Sequence, residues 1–128
     1  MRLKKYINEE IIEIPMGRSS KNNPLKAKSI VGRYAYHQAI NKNYGDNGIK
    51  AYKIREIKAA DSFPNVVSSD KFIWLSQTPY GTTEYNYIID LKKLDADDLR
   101  TTGQGVAHIL HRGDIPDKAI VKKPPKDR

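Results

Sequence analysis

The stretch HILHRGDIPDKAIV, residues 108–121, joins a strand-like run to a tight turn and a second strand-like run. The first run extends over residues 106–112, where short apolar segments predict a β-strand. Gly113 and Pro116 indicate a turn, because glycine accepts positive φ angles and proline restricts φ. The chain therefore turns back here, and AIVKK at 119–123 predicts the next strand.

The two histidines of this first strand, His108 and His111, are three residues apart. Side chains at that spacing on a strand point to opposite faces of the sheet, so only one of them can enter a given cleft. A metal ion shared by the two is therefore not expected. The chain has no cysteine, which excludes disulfides, thiol catalysis and cysteine-based zinc sites, and we predict no metal site.

Other short runs have the same strand-like character and are separated by turn residues. These predicted strands lie at 30–37, 49–57, 72–76 and 85–91. QAINKNYGDNG at 38–48 predicts a short helix that ends at its glycines, and LDADDLR at 94–100 predicts an acidic helical turn capped by Asp95. The connections are too short for several βαβ crossovers, so we predict an α+β domain with a mostly antiparallel sheet and two or three short helices.

The N-terminal part has a different spacing of apolar residues. Residues 3–14 have roughly helical spacing, and Pro15 is expected to end the helix. Residues 16–28 are polar and basic, as in a linker or a long loop. We therefore expect a basic N-terminal helix and linker over 1–28, a single α+β domain over 29–123 and a disordered tail over 124–128.

The positive charge of the chain is unevenly distributed. The net charge is +8, and residues 1–60 hold 13 Lys and Arg against 5 Asp and Glu, whereas residues 61–128 hold 10 of each. Such asymmetry favours contact between the basic N-terminal half and nucleic acid or another polyanion. No apolar run approaches the roughly 20 residues that cross a bilayer, and the first residues lack the apolar core of a secretory signal. We expect no membrane partner and a cytoplasmic location.

Four motifs occur in a characteristic order: YAYHQAINKN at 34–43, KFIWLS at 71–76, YNYIIDLKKLD at 85–95 and AHILHRGDIPDKAI at 107–120. In this order they resemble the compact ADP-ribosyltransferase-like fold, which includes DNA-targeting ADP-ribosyltransferase toxins and tRNA 2′-phosphotransferases. The resemblance covers about residues 33–121. It implies a split, mostly antiparallel sheet that binds NAD or the 2′-phosphate end of a nucleic acid.

The resemblance also implies roles for individual residues. His37 and His108 would be catalytic, and His108 stands where the family usually has a glutamate. The cofactor-binding residues that it implies are Gln38, Trp74, Ser76 and Tyr85. No glutamate occurs in residues 85–128, and a protonated histidine would repel the positive charge that develops as the glycosidic bond of NAD breaks. This departure from the family pattern implies reduced or altered activity.

The phosphotransferase branch of the family holds phosphates with arginine and histidine. Arg33, Arg55 and Arg112 are the phosphate-binding residues that this branch implies, since a guanidinium matches a phosphate through two parallel hydrogen bonds. The alternative for all three is a solvated position on a strand.

The first ten residues, MRLKKYINEE, resemble the N-terminal packaging peptides of internal head proteins in T-even-like phages. Those peptides end in a hydrophobic-x-Glu cleavage site, which Ile7-Asn8-Glu9 would match; an ordinary amphipathic helix is the alternative. Two functions therefore stay open. The chain is either an ADP-ribosyltransferase-like domain, or a non-enzymatic basic phage protein packaged in the virion that contacts nucleic acid or other virion proteins.

Overall fold

A computed structural model describes residues 10–15, 28–38, 44–45, 48–53, 60, 62–63, 65–79, 81, 85–101 and 108–124. Within these residues antiparallel β-sheet predominates, as predicted, and the helices are three 3-10 turns. The strands are β1 (Ile11–Pro15), β2 (Lys28–Gly32), β3 (Tyr34–Gln38), β4 (Tyr44–Gly45), β5 (Gly48–Ile49), β6 (Phe72–Ser76), β7 (Asn86–Asp90), β8 (Leu99–Thr101), β9 (His108–Arg112) and β10 (Ile120–Lys122). The 3-10 helices are Leu91–Lys93, Ala96–Asp98 and Asp117–Ala119. None of the described helices has the length and apolar character needed to cross a membrane.

Six strands form the main sheet, in the order β10-β7-β3-β6-β9-β8. β3 pairs with β7 along all five of its residues, and β6 pairs with β9 in the same way. β3 and β6, in contrast, share one register pair, Tyr36 opposite Ser76. The main sheet thus consists of two halves, β10-β7-β3 and β6-β9-β8, which meet at a weakly paired seam.

Alternation of side chains along the strands gives the main sheet two faces. The first, the core face, carries the buried side chains of Ala35, Ile73, Leu75, Tyr87, Ile89, Leu99 and Ile109. The opposite side, here called the aromatic face, carries the side chains of Tyr34, Tyr36, Phe72, Trp74, His108, Leu110 and Arg112. Ala60 and Phe63 pack against Phe72 and Leu110, so one end of the aromatic face is covered.

The core face is partly covered by a hairpin in which β1 pairs with β2. Ile14 and Val31, one from each strand, are buried in the core cluster. The helix predicted over 3–14 is therefore wrong for residues 11–14; residues 1–9 lie outside the described part. Isoleucine-rich runs favour strands, and pairing with β2 directs Ile14 into the core.

Several local predictions are confirmed. Strands are present within the ranges 72–76, 85–91 and 106–112. Asp95 caps the Ala96–Asp98 turn, since its Oδ1 accepts a hydrogen bond of 3.0 Å from the backbone N–H of Asp97. The strand predicted at 30–37 is instead two strands, β2 and β3, because the chain bends at Arg33.

Two predictions are only partly covered. For the helix predicted at 38–48, residues 39–43 and 46–47 lie outside the described part, and the residues beside them form the short pair β4–β5. For the strand predicted at 49–57, residues 54–59 lie outside; Ile49 belongs to β5 and Tyr52 forms a single bridge to Phe72. In the predicted tail, residues 125–128 are likewise outside.

Candidate functional site

The seam between β3 and β6 brings several of the predicted site residues together. Tyr36 on β3 lies opposite Ser76 on β6, and Ser76 lies opposite His108 on β9. The side chains of these three residues therefore form a row across the aromatic face. Trp74 is two residues before Ser76 on the same strand and face. Tyr36, Trp74, Ser76 and His108 are called the seam surface below.

Aromatic contact organises the seam surface. The rings of Trp74 and His108 have centroids 5.5 Å apart and are tilted by 54°. His108 is exposed, Trp74 and Tyr36 are half-buried, and Ser76 is buried. The Ser76 hydroxyl accepts a hydrogen bond of 3.2 Å from the backbone N–H of Thr78. The surface thus combines aromatic rings that solvent reaches with a polar group at its base.

His37 lies on the other face of the sheet. It is 5% exposed, and its Nδ1 is 2.9 Å from the carbonyl oxygen of Trp74. Its ring is 6.3 Å from the ring of Tyr87. β3 and β6 share one register pair, and the contact of the His37 side chain with Trp74 adds a second link across the seam. The structure therefore does not bring His37 and His108 to one cleft; His37 contacts β6 from the core face, at the carbonyl oxygen of Trp74.

His111 confirms the prediction that it and His108 point to opposite faces. It is 3% exposed, and its Nδ1 lies 2.8 Å from the carbonyl oxygen of Gly113. Burial lowers the pKa of His111 below its ordinary value, so the imidazole is neutral near pH 7, and Nδ1–H donates to the carbonyl oxygen.

Arg33, predicted to hold phosphate, is engaged by carboxylates. Its Nε and Nη2 donate to the two carboxylate oxygens of Asp90 at 2.9 and 2.8 Å, and its Nη1 donates to Glu10 at 2.8 Å. Lys92 also contacts Glu10, at 2.6 Å. The hydrogen bond to Arg33 holds the pKa of Asp90 below its usual range. A phosphate at Arg33 would have to displace both carboxylates.

The remaining predicted residues are dispersed. Gln38 is half-buried on β3 opposite Asn86, and Tyr85 is 39% exposed just before β7. Arg112 is on β9 opposite Phe72, the first residue of β6. Arg33 directly precedes β3, which pairs with the other end of β6, at Ser76. Arg55 lies outside the described residues. The structure therefore does not place Arg33 and Arg112 together.

Sequence reasoning missed Gln77, which fixes the bend between β2 and β3. Its Oε1 accepts from the backbone N–H of Gly32 at 2.6 Å, and its Nε2 donates to the carbonyl oxygens of Tyr34 and Gly32 at 3.1 and 3.3 Å. The one signal in the sequence that could have identified Gln77 is its position directly after the buried strand β6. Gln77 thereby anchors β3 at the edge of the seam.

Sequence reasoning also missed Arg100. It is 4% exposed on β8, and its guanidinium lies 4.6 Å from the centre of the Phe63 ring. Nothing in the sequence around it, DDLRTT, marks it as buried. Its burial depends on a turn that is about 40 residues away along the chain, as its Nε hydrogen bond to Ser62 shows.

Groups of three or more potential metal-ligating side chains do not occur in the described part of the chain. Comparison with protein-family models, with curated proteins and with solved structures gives no match for this chain.

Proposed function

We propose that the chain is an ADP-ribosyltransferase-like domain that binds NAD, or the phosphate end of a nucleic acid, at the seam surface. The observation that carries the proposal is the tilted ring pair of half-buried Trp74 and exposed His108, which lies next to buried Ser76 where the two halves of the sheet meet. The order of the four sequence motifs adds support for the fold type.

The chemistry of the seam surface suits a nucleotide. Every base, and the nicotinamide ring, has a flat π face that stacks on aromatic side chains, and such stacking contributes about 1–3 kcal/mol per base. A ring nitrogen of His108 can form a hydrogen bond with a ribose hydroxyl.

Binding is better supported than transfer. On the strands of the main sheet, as far as the structure describes them, Asp90 is the carboxylate, and it is held by Arg33. A carboxylate at the seam surface would be needed to stabilise the positive charge that develops on the ribose as the glycosidic bond breaks. This supports a second candidate, a non-enzymatic basic protein, packaged in a virion, that contacts nucleic acid.

Titration with NAD tests the first proposal, because Trp74 is the single tryptophan of the chain and reports on the seam surface. We expect saturable quenching of its fluorescence. The affinity for NAD should fall about tenfold in His108→Ala, because a stacking partner is lost. Val67→Ala, at a side chain that is 54% exposed and outside the seam surface, is the matched control and should bind as the parent does. Unchanged fluorescence at millimolar NAD would rule out NAD binding here.

Two further measurements separate the candidates. His108→Glu should create or raise nicotinamide release from NAD if position 108 takes the place of the family's carboxylate; a folded but inert variant contradicts that equivalence. Binding to mixed-sequence DNA should weaken steeply with salt if the basic half contacts phosphates, because bound counterions are released. A response that does not change with salt removes the second candidate.

A further inference from the structure

The pairing between β3 and β6 stops directly after the register pair of Tyr36 and Ser76. In the same register, a continued antiparallel ladder would place Tyr34 opposite Thr78, and that pair does not form. The Thr78 N–H donates instead to the hydroxyl oxygen of Ser76 at 3.2 Å. The Tyr34 carbonyl oxygen accepts from Nε2 of Gln77 at 3.1 Å. A side-chain amide therefore stands where the next backbone pair would be.

The same amide covers the edge of β2. The Arg33 N–H donates to the Glu10 carbonyl oxygen at 2.9 Å, and hydrogen-bonded pairs alternate along an antiparallel ladder, so the N–H and C=O of Gly32 point away from β1. Gln77 takes both groups: its Oε1 accepts from the Gly32 N–H at 2.6 Å, and its Nε2 donates to the Gly32 carbonyl oxygen at 3.3 Å. A glutamine amide carries a donor and an acceptor side by side, as a peptide group does. It thus replaces a strand at the edges of both β2 and β3.

The spacing of the seam surface depends on how β3 lies against β6. Tyr36 is on β3, whereas Trp74 and Ser76 are on β6, and a single register pair joins the two strands directly. Gln77 follows Ser76 in the chain and binds β3 two residues before Tyr36, so it fixes both strands close to the seam surface. A binding surface that is ordered before its ligand arrives binds more tightly, because less conformational freedom is lost on binding.

We propose that Gln77 is a positioning residue for the seam surface. Its amide holds β3 and β6 at the spacing that the ligand needs, and it leaves the Thr78 N–H to hold the Ser76 hydroxyl. The proposal rests on nucleotide binding at the seam surface. Gln77 acts through the two strands, since its side chain is directed to the backbone of Gly32 and Tyr34.

Gln77→Met tests the proposal, because methionine has a similar length but neither the donor nor the acceptor. The affinity of the folded full-length chain for NAD, followed by quenching of Trp74 fluorescence, should fall about tenfold. Gly113→Ala is the control for a general loss of stability: its φ of +91° strains an alanine, no atom lies within 4 Å of the added Cβ, and it follows the end of β9 remote from His108. Unchanged affinity in Gln77→Met, or an equal loss in Gly113→Ala, would overturn the proposal.

Gln77→Glu separates the hydrogen bonds of Gln77 from its packing. The ionised carboxylate can accept from the Gly32 N–H but cannot donate to the Tyr34 carbonyl oxygen, so NAD should bind weakly at pH 7. The protonated carboxyl group regains one donor, so the affinity relative to that of the parent at the same pH should recover as the pH falls through the ordinary glutamate pKa of about 4.3. Gln77→Met has no such group and should show no recovery. Equal behaviour of the two variants at low pH would contradict a role for the hydrogen bonds.

A measurement without ligand separates this proposal from nucleotide binding itself. Collisional quenching by acrylamide reports the exposure of Trp74, which is half-buried in the parent. The quenching constant should rise in Gln77→Met, because β3 is no longer held against β6, and should keep the parent value in Gly113→Ala. If the parent does not bind NAD but this rise is found, the proposed function fails and the positioning of β3 and β6 by Gln77 stands. An unchanged quenching constant in Gln77→Met overturns the positioning role, whatever the result with NAD.

Discussion

The imidazole of His111 is enclosed on the core face and donates from Nδ1 to the carbonyl oxygen of Gly113. Burial lowers its pKa in the folded state, so the unfolded chain binds a proton at a higher pH than the folded chain does. Between the ordinary histidine pKa of about 6.5 and the lower folded value, acid therefore favours unfolding. The free energy of unfolding should fall in this window by at most about 1.4 kcal/mol per pH unit for this one proton.

Substitution of His111 by Asn tests this linkage, because the Asn amide can still donate to Gly113 but does not titrate. His111→Asn should flatten the dependence of the unfolding free energy on pH below 7, as measured by urea denaturation at several pH values. His108→Gln, on the same strand but exposed, should leave the slope of the parent unchanged. A slope that persists in His111→Asn would locate the titration elsewhere.

Gly48 permits two backbone segments to meet. Its φ is +111°, and a Cβ atom at this position would overlap the carbonyl oxygen of Ile115, which accepts a hydrogen bond of 2.9 Å from the Ile49 N–H. Gly48→Ala should destabilise the protein by about 3 kcal/mol, since backbone strain adds to a clash that no side-chain rotation relieves. Gly81→Ala, at φ +63° with open space around it, should cost only about 1 kcal/mol. Equal midpoints of thermal unfolding for the two variants would contradict this.

At the scale of elements, Asp90 connects the end of β7 to the bend between β2 and β3. Its side chain is 2% exposed and accepts from Arg33 through both oxygens and from the backbone N–H of Lys92 at 3.1 Å. The Leu91 N–H donates to the Arg33 carbonyl oxygen at 2.9 Å, which holds these two segments of the chain together. The pair therefore fixes where one half of the main sheet begins.

Asp90→Asn should lower the free energy of unfolding by about 2 kcal/mol at pH 7, because the Asn amide group cannot accept both Arg33 donors. Asp117→Asn is the control: Asp117 contacts Lys123 at 2.6 Å, but both side chains are about half exposed. Such exposed ion pairs contribute little to stability, so Asp117→Asn should change the free energy of unfolding by no more than about 0.5 kcal/mol. Chemical denaturation measures the free energy of unfolding of both variants. An equal loss in the two would mean that Asp90 stabilises the fold no more than a surface carboxylate does.

Local pattern also explains which elements sequence reasoning identified. β6, β7 and β9 are short apolar runs between turn residues, and their burial follows from composition alone. β1 was predicted as part of a helix because its isoleucines are also compatible with helical spacing. Its partner, β2, begins 13 residues after β1 ends, and no local signal announces that pairing.

At the scale of the whole molecule, the basic character of the first half becomes less uniform than its composition indicates. Arg33 is bound by two carboxylates, and Lys50 lies 3.6 Å from Asp114. Arg100 and Arg112, whose guanidinium groups lie 4.6 and 5.0 Å from the centre of the Phe63 ring, come instead from the second half, where the formal charges balance. The distribution of charge along the chain therefore does not show which basic side chains the fold brings to the same place.

Local sequence pattern was sufficient to predict β6, β7, β9 and β10, the cap at Asp95 and the opposite directions of His108 and His111, since these depend on neighbours within a few residues. It did not predict β8, whose first two residues fall within the helical turn predicted at 94–100. Three features depend instead on the tertiary structure: the burial of His111 rather than His108, the contact of His37 with the carbonyl oxygen of Trp74, 37 residues away, and the pairing of Arg33 with Asp90, 57 residues away. Those partners are chosen by sheet order and register, and the free energy that selects them comes from burying the core face as a whole.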